Sequence, residues 1–353
     1  MGRKRKIFDA AIVADGNRSI GLGHIMRSLA VAEALKDLGY RVCFLVSDAD
    51  SEAVVRSLGS DCFRLDTDYR RLADQAEKIK ACLEKIGARF VFFDSYFADN
   101  ALFEAVSEIC PVGCFGYGKK YFSGMRVIVP YGVSSDWDWY AENFDPQVTE
   151  VLAGAAYAPL KRPFWDVPAR EEGREVRRIL LTSGGTDPLG VTEILAGEIL
   201  ARFPDTVLDI VVGRYFETDR LKTRFGSCEA VRFHERLDDL SGLMRETDLA
   251  VSAAGMTLYE LMACSVPVIA YALADNQLNN VRLEPAIVWC GDIRSGQGLN
   301  GETVSGILAH LEDLMRDAAA RGRLQKAGHA FCDGKGAVRI AGAIGRIISP
   351  LSE

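Results

Sequence analysis

Long hydrophobic runs are absent from the sequence. No stretch approaches the roughly 18 consecutive apolar residues of a membrane-spanning helix, so we expect no transmembrane segment. The basic residues at 1–6 are not followed by the apolar region of a signal peptide, and we therefore predict a cytoplasmic protein. Low-complexity tracts and short repeats are also absent, and 353 residues of ordinary globular composition are enough for about two domains.

The sequence has no excess of positive charge. Its formal net charge is -7, whereas a nucleic-acid-binding protein is expected to present a basic face to the phosphates, so we expect no nucleic-acid partner. The basic residues at the N-terminus could contact an anionic membrane surface. A charged segment this short is more typical of a terminus that aids solubility.

Histidine is scarce, and cysteine is not arranged for metal binding. The nine cysteines are an odd number scattered along the chain, and the one close pair, Cys110 and Cys114, has neither a second pair nor neighbouring histidines to complete a zinc site. His234, His310 and His329 show no metal-ligand spacing and are interpreted as structural or surface residues. We therefore expect reduced, mostly buried thiols, with no metal and no cofactor.

Short β-branched or aromatic runs alternate with helical patterns along the chain. We predict strands at 7–13, 41–46, 90–93, 125–130, 178–181, 207–212, 249–251 and 266–269, and helices at 25–38, 53–58, 72–86, 101–109, 191–203, 237–247, 257–263 and from 303 onward. This alternation predicts parallel sheets covered by helices. Prolines at 159, 163 and 168 and a charged run at 170–178 interrupt this alternation. We therefore predict an α/β fold of two Rossmann-like domains, 1–160 and 178–353, with a linker at 161–177 and a last helix that is a candidate to pack back on the N-terminal domain. The two parallel sheets are expected to face each other across a ligand-binding cleft.

A glycine pair opens a helix directly after the first predicted strand. Gly21 and Gly23 precede His24, and a turn of this kind brings a ligand close to the amides at the helix start. The third glycine of a dinucleotide fingerprint is missing, and no acidic residue clearly ends the second strand, which argues against NAD. The positive end of the helix favours a neutral His24, suited to deprotonating water or a sugar hydroxyl, while Asp15 could orient it or bind a hydroxyl. The alternative is a histidine that only caps the helix.

Three small or polar segments in the second half each follow a predicted strand. They are Gly184 and Gly185; Gly255, Met256 and Thr257, with Glu260 one helical turn later; and Asn276 with Gln277. Small residues at a helix N-terminus can hold a diphosphate, a glutamate can accept both hydroxyls of a ribose, and carboxamides can reach phosphate or sugar oxygens. The alternatives are a tight turn, a solvated helical glutamate and a polar turn.

The ordered set of motifs resembles a known family. The motifs are Ala-Asp-Gly at 14–16, Ile-Gly-Leu-Gly-His at 20–24, Met-Arg at 26–27, Ser-Gly-Gly-Thr-Asp-Pro at 183–188, Ala-Ala-Gly-Met-Thr-Leu-Tyr-Glu at 253–260, Asn-Gln at 276–277, and Asp-Gly, Gly-Ala and Arg between 333 and 339. Together they resemble the UDP-sugar hydrolase of pseudaminic acid biosynthesis and its relatives, the spore-coat polysaccharide biosynthesis proteins. More distantly, the second half is similar to the glycosyltransferase that adds N-acetylglucosamine to lipid I. The resemblance implies the GT-B form of the two-domain α/β fold.

The resemblance also implies a role for the motif residues. His24 would be the general base that activates water, and Asp15 and Asp94 would contact the sugar or orient the base. A UDP-sugar would be bound by Gly255, Met256 and Thr257 at the diphosphate, Glu260 at the ribose and the backbone near Leu237 at the uracil. Gly184, Gly185, Asn276 and Gln277 would line the same pocket, and the further candidate substrate-binding residues are Gly21, Gly23 and Tyr96.

The chain departs from the hydrolase pattern at three places. Val13 stands where the pattern has arginine, Ser95 stands where the hydrolases have histidine, and the segment 115–120 lacks their paired aspartates. These positions lie in the acceptor-side domain, so they affect the identity of the substrate more than nucleotide binding.

Three functions are compatible with these motifs. The leading prediction is a hydrolase that releases UDP from a UDP-activated, modified amino sugar for surface-glycan biosynthesis. The second is a GT-B glycosyltransferase in which His24 deprotonates an acceptor hydroxyl, a function with which a peripheral membrane contact is compatible. The third is a non-catalytic nucleotide-sugar-binding partner of a sugar-activating enzyme.

Overall fold

A computed structural model describes residues 8–349 except 18, 117–118, 120–121, 133–136, 171–172, 214–215, 236, 238 and 297. The basic segment 1–6 and three positions of the departure at 115–120, namely 117, 118 and 120, lie outside the described residues. The chain divides into two compact units, of which unit 1 combines Met1–Arg162 with Lys335–Glu353 and unit 2 is Pro163–Gly334. The linker predicted at 161–177 is not separate in this division, because its residues 163–177 fall within unit 2.

Unit 1 contains a seven-stranded sheet in which every pairing is parallel. Its strands are β1 (Ala10–Ala14), β2 (Val42–Val46), β3 (Asp61–Arg64), β4 (Phe90–Asp94), β5 (Val112–Phe115), β6 (Val127–Val129) and β7 (Glu150–Val151). The strand order is β3-β2-β1-β4-β5-β6-β7. Every residue of β1, β2 and β4 is buried, as expected for central strands with helices on both faces.

Five α-helices connect these strands. They are α1 (Gly23–Asp37), α2 (Ala49–Ser57), α3 (Ala76–Ile86), α4 (Asn100–Ser107) and α5 (Trp137–Asn143), with short 3-10 helices at Tyr69–Gln75, Ala155–Tyr157 and Arg162–Phe164. The helix starts follow ordinary capping chemistry, since the side chains of Asp48 and Asp99 accept hydrogen bonds from backbone amides in the first turns of α2 and α4.

Unit 2 repeats the arrangement with a six-stranded parallel sheet. Its strands are β8 (Arg178–Thr182), β9 (Val207–Val212), β10 (Val231–Glu235), β11 (Leu249–Ala253), β12 (Val268–Ala272) and β13 (Val288–Asp292), in the order β10-β9-β8-β11-β12-β13. Two further strands, β14 (Arg294–Ser295) and β15 (Gly298–Leu299), form a small antiparallel pair. Its helices are α6 (Val191–Arg202), α7 (Asp219–Phe225), α8 (Ser241–Glu246), α9 (Thr257–Ala263), α10 (Gly301–Arg316) and α11 (Ala318–Phe331), with a 3-10 helix at Asp275–Leu283.

The last helix, α12 (Gly336–Ile348), belongs to unit 1. Tyr40 donates a hydrogen bond from its hydroxyl to the Gly345 carbonyl, and Arg339 donates one to the Ala156 carbonyl. At the start of the helix, a Cβ on Gly336 would lie 2.1 Å from the carbonyl oxygen of Ala158, so only glycine permits this close approach. The chain therefore returns to unit 1 after completing unit 2.

Both sheets reverse their strand order beside their first strand. In unit 1 the reversal falls between β1 and β4, and in unit 2 between β8 and β11. The carboxyl ends of the strands at such a switch point are where open α/β sheets bind ligands. No helix within the described residues is long and apolar enough to cross a membrane.

Candidate functional site

The turn that places His24 follows β1 and is ordered by its own polar groups. Asn17 accepts hydrogen bonds on its side-chain oxygen from the amides of Ser19 and Ile20 at 2.9 and 3.2 Å. Its carbonyl accepts the amide of Gly21, whose φ of 73° is a left-handed conformation that glycine adopts without strain. The helix α1 then begins at Gly23 and places His24 in its first turn, at the switch point of unit 1.

Asp94 ends β4 and meets the imidazole of His24. Because β1 and β4 pair in parallel register, Asp94 lies beside Ala14 at the carboxyl end of the sheet. The distance from Nδ1 of His24 to Oδ1 of Asp94 is 2.6 Å, and the carbonyl oxygen of Asp94 lies 3.2 Å from the same nitrogen. The two residues are 70 positions apart in the sequence, so this contact depends on the strand order.

Arg27 and Ser28 complete the environment of the Asp94 carboxylate. Arg27 donates from Nε to Oδ2 at 2.7 Å and from Nη2 to Oδ1 at 2.6 Å, while the hydroxyl of Ser28 donates to Oδ2 at 2.9 Å. The sequence analysis gave neither residue a role. Their spacing from His24, three and four positions along one helix, is the signal that could have identified them, because such residues share a helix face.

The charge of Asp94 fixes which nitrogen of His24 carries the proton. Burial by itself raises the pKa of this carboxyl, but the Arg27 guanidinium and then His24 outweigh it and hold the pKa well below its usual range. An ionised carboxylate only accepts hydrogen bonds, so Nδ1 of His24 is the donor to Asp94, and Nε2 is the nitrogen that carries the lone pair when the ring is neutral. A carboxylate that holds Nδ1 in this way prepares an imidazole to act as a base.

A small open cavity lies against this pair and holds about 230 Å³ of empty space including its open side. Its lining combines polar groups with an apolar wall: Asp15, Ile20, His24, Tyr69, Asp94, Ser95, Tyr96 and Phe97. The ring of Tyr96 contacts the His24 ring edge to face, with 4.7 Å between the ring centroids. Tyr96 is 53% exposed. The predicted residues His24, Asp15, Asp94 and Tyr96 therefore share one cavity.

Asp15 has a different partner from the one considered in the sequence analysis. Its carboxylate accepts hydrogen bonds from the amide and the hydroxyl of Ser47, at 2.6 and 2.8 Å, whereas the carboxylate at Nδ1 of His24 is that of Asp94. Burial raises the pKa of Asp15, although the two bonds from Ser47 oppose the shift. Asp15 therefore connects the end of β1 to the end of β2 through hydrogen bonds, and it also lines the cavity.

In unit 2, Gly184 and Gly185 form the turn after β8. Gly184 has a left-handed φ of 85°. The turn lies so close to the end of β9 that a Cβ on Gly213 would be 2.2 Å from the Gly184 carbonyl oxygen. Below the turn, the hydroxyl of Ser183 bonds to the hydroxyl of Tyr271 at 2.8 Å, which links β8 to β12.

The segment at Gly255, Met256 and Thr257 follows β11, the neighbour of β8, and leads into α9. These three residues and Glu260 are partly exposed. The side chain of Asn280 donates to the Ala254 carbonyl at 2.7 Å, and Gln277 accepts the Leu273 amide at 2.7 Å. The ends of β8, β11 and β12 therefore bring the predicted residues of these three segments to one edge of the sheet.

The remaining predicted residues are on the surface of unit 2. Asn276 is exposed in the 3-10 helix Asp275–Leu283. Leu237 is 47% exposed after β10, between positions 236 and 238, which the structure does not describe. Within the described part of the chain, no group of three or more histidine, cysteine, aspartate or glutamate side chains could hold a metal ion.

Two Rossmann-like parallel-sheet domains in one chain constitute a GT-B fold, and solved GT-B structures share it. MurG of Acinetobacter baumannii has a TM-score of 0.63 at 14% identity, over 96% of this chain and 99% of its own. UDP-GlcNAc 2-epimerase of Neisseria meningitidis, solved with UDP-GlcNAc bound, has a TM-score of 0.61 at 13% identity, over 96% and 100%.

Two proteins are similar to this chain in sequence. The spore coat polysaccharide biosynthesis protein SpsG of Bacillus subtilis is 23% identical, over 93% of this chain and 95% of its own. An uncharacterised protein of Methanocaldococcus jannaschii is 24% identical over 76% of this chain. The match covers only 56% of the length of that protein. No protein-family profile matches the chain.

Proposed function

We propose that the protein hydrolyses a UDP-activated sugar, releasing UDP, in surface-glycan biosynthesis. The observation that carries the proposal is the contact of 2.6 Å between His24 and the buried Asp94 beside an open cavity at the switch point of unit 1. Similar proteins support the substrate class, because one is a spore coat polysaccharide biosynthesis protein and the structure of another holds UDP-GlcNAc.

His24 is the general base in this proposal. Nε2 accepts a proton from water as the water oxygen bonds to the anomeric carbon, and the bond from that carbon to the phosphate oxygen breaks. The sugar gains a hydroxyl group, and UDP leaves with the bonding electron pair. Asp94 stabilises the transient imidazolium through Nδ1, and Asp15 is the candidate acceptor for a sugar hydroxyl.

Unit 2 binds the nucleotide in this proposal. Gly255, Met256 and Thr257 contact the diphosphate and Glu260 the ribose, at the edge where β8, β11 and β12 end. Gly184 and Gly185 at the neighbouring strand end, Asn276 and Gln277 after β12, and the backbone near Leu237 complete the assignment. Backbone amides and small side chains suit a diphosphate because they allow close approach without steric conflict.

The test measures UDP release from a panel of UDP-activated amino sugars, beginning with UDP-N-acetylglucosamine, by the wild type and by His24→Ala. His310→Ala is the matched control, because His310 is exposed on α10. Calorimetric titration with UDP is carried out on all three proteins. We expect release without an acceptor, its loss in His24→Ala only, and UDP binding by all three.

Each other outcome has a defined meaning. Release that requires an added acceptor would replace the hydrolase with a glycosyltransferase, in which His24 deprotonates the acceptor hydroxyl. UDP binding without release from any sugar would favour a non-catalytic nucleotide-sugar-binding protein. Failure of the wild type to bind UDP would contradict the proposal as a whole.

A further inference from the structure

Arg27 makes several close polar contacts with His24 and Asp94. Its guanidinium donates twice to the carboxylate, and Nη2 also lies 2.7 Å from Nδ1 of His24. The side chains of Arg27 and Asp94 are 9% and 0% exposed, so water screens this ion pair very little.

We propose that Arg27 is a positioning residue that balances the charge of Asp94. The carboxylate then orients the His24 ring without increasing the affinity of the ring for a second proton. An unbalanced carboxylate at 2.6 Å would stabilise the imidazolium form, and a protonated ring accepts no proton from water. The guanidinium close to Nδ1 also repels a second positive charge on the ring. The catalytic consequence rests on the proposed function, whereas the effect on the protonation of His24 does not.

The guanidinium is fixed on its other sides as well. Nη1 of Arg27 donates to the hydroxyl of Tyr131 at 3.2 Å, and its central carbon lies 5.3 Å from the centroid of the Phe115 ring. Both residues come from the part of the sheet beyond β4. The planar, forked guanidinium matches two carboxylate oxygens at once, which an ammonium group does not.

Among the residues that the structure describes, several ionisable groups surround the imidazole. Asp94 approaches it from β4, Arg27 from α1 and Tyr96 from the segment after β4, while Asp15 lines the same cavity from the end of β1. Tyr131 contacts Arg27, and burial, the larger effect, raises the pKa of its hydroxyl, which keeps the phenol neutral. Arg27 is therefore the cationic residue of this set.

The test follows the His24 ring directly by nitrogen NMR of the full chain labelled with ¹⁵N-histidine. The chain has four histidines, so the His24 signals are assigned by their loss in His24→Gln. We compare the wild type with Arg27→Met and Arg27→Lys, and use Lys36→Met, an exposed residue of the same helix, as the control. Far-ultraviolet circular dichroism establishes that each variant is folded.

We expect the wild type to show the proton on Nδ1 at neutral pH. In Arg27→Met the titration midpoint of the ring should rise by about one to three pH units, the usual effect of an unbalanced neighbouring charge. Arg27→Lys should show a smaller rise, and Lys36→Met none. An unchanged midpoint in folded Arg27→Met, or a wild-type proton on Nε2, would overturn the proposal.

The second readout is the pH profile of UDP release. The acidic limb of kcat/KM should move to higher pH in Arg27→Met in parallel with the NMR midpoint, with kcat affected more than KM. If no UDP-sugar is hydrolysed by the wild type, the proposed function fails while the NMR experiment still decides the role of Arg27. A loss of rate at every pH with an unmoved limb would indicate a structural role only.

Discussion

Asp94→Asn removes a negative charge that four donor atoms share. These atoms are Nδ1 of His24, Nε and Nη2 of Arg27, and the hydroxyl of Ser28. The substitution keeps the shape of the side chain but leaves the guanidinium buried beside a neutral amide. Breaking a buried ion pair by removing one partner costs about 3–5 kcal/mol, and we expect about 3 kcal/mol here because the amide oxygen still accepts some of these bonds.

The measurement is thermal and urea unfolding of the full chain. Unit 1 has roughly 180 residues, so a loss of about 3 kcal/mol should lower its Tm by roughly 6–12 °C. Asp37→Asn is the matched control, since Asp37 pairs with Arg162 at the surface, where both side chains are about half exposed. The control should lose about 1 kcal/mol or less.

The pH dependence of this difference has a definite sign. The pKa of Asp94 in the folded protein lies below the unfolded value of about 3.9. Its stabilising contribution is therefore fully present above the unfolded pKa and is lost as the pH falls towards the folded pKa. The stability gap between wild type and Asp94→Asn should be constant above about pH 5 and shrink below about pH 4. A gap under about 1 kcal/mol at pH 7, or one that grows on acidification, would refute this account of the carboxylate.

Three further results are expected. Gly213→Ala should destabilise unit 2 by about 1–3 kcal/mol, because the new carbon would lie 2.2 Å from the Gly184 carbonyl oxygen, and it should weaken UDP binding in calorimetry. The control Gly242→Ala should change neither stability nor UDP binding, because nothing lies within 4 Å of a Cβ at that position. Burial raises the pKa of Asp15 in the folded protein, so the stability of the wild type relative to Asp15→Asn should fall as the pH rises above the unfolded pKa of about 3.9. A difference in urea unfolding that does not change with pH would contradict this. Tyr96→Ala should keep Tm within about 1 °C of the wild-type value because Tyr96 is half exposed. It should raise KM for the UDP-sugar in the UDP-release assay, and an unchanged KM would show that Tyr96 is not part of the site.

Elements with strong local patterns could be predicted closely. The strand Val207–Val212 and the helix Thr257–Ala263 have the predicted bounds, and α1 differs from its prediction by one or two residues at each end. The prediction missed β3 and β10, which are the edge strands of their sheets and are only partly buried. An edge strand need not be apolar on both faces, so its sequence lacks the continuous hydrophobic run that marks a central strand.

The strand β5 was missed for a different reason. Its Gly113 weakens the local strand pattern, but a Cβ at this position would lie 2.8 Å from the ring of Phe90 and 3.0 Å from the ring of Phe92. The glycine is thus required by aromatic rings that approach it from the neighbouring strand β4. Local propensity contains no information about such a neighbour.

The sequence by itself determined the alternation of strands and helices, the two parallel sheets, and the glycine turn that starts a helix at His24. These features depend on local periodicity and on backbone conformations that few residues adopt. Only the tertiary structure decided that Asp94 rather than Asp15 contacts Nδ1 of His24, that Arg27 pairs with this carboxylate, and that α12 belongs to unit 1. The physical reason is that these contacts join residues far apart in the chain, and strand order and helix packing bring them together.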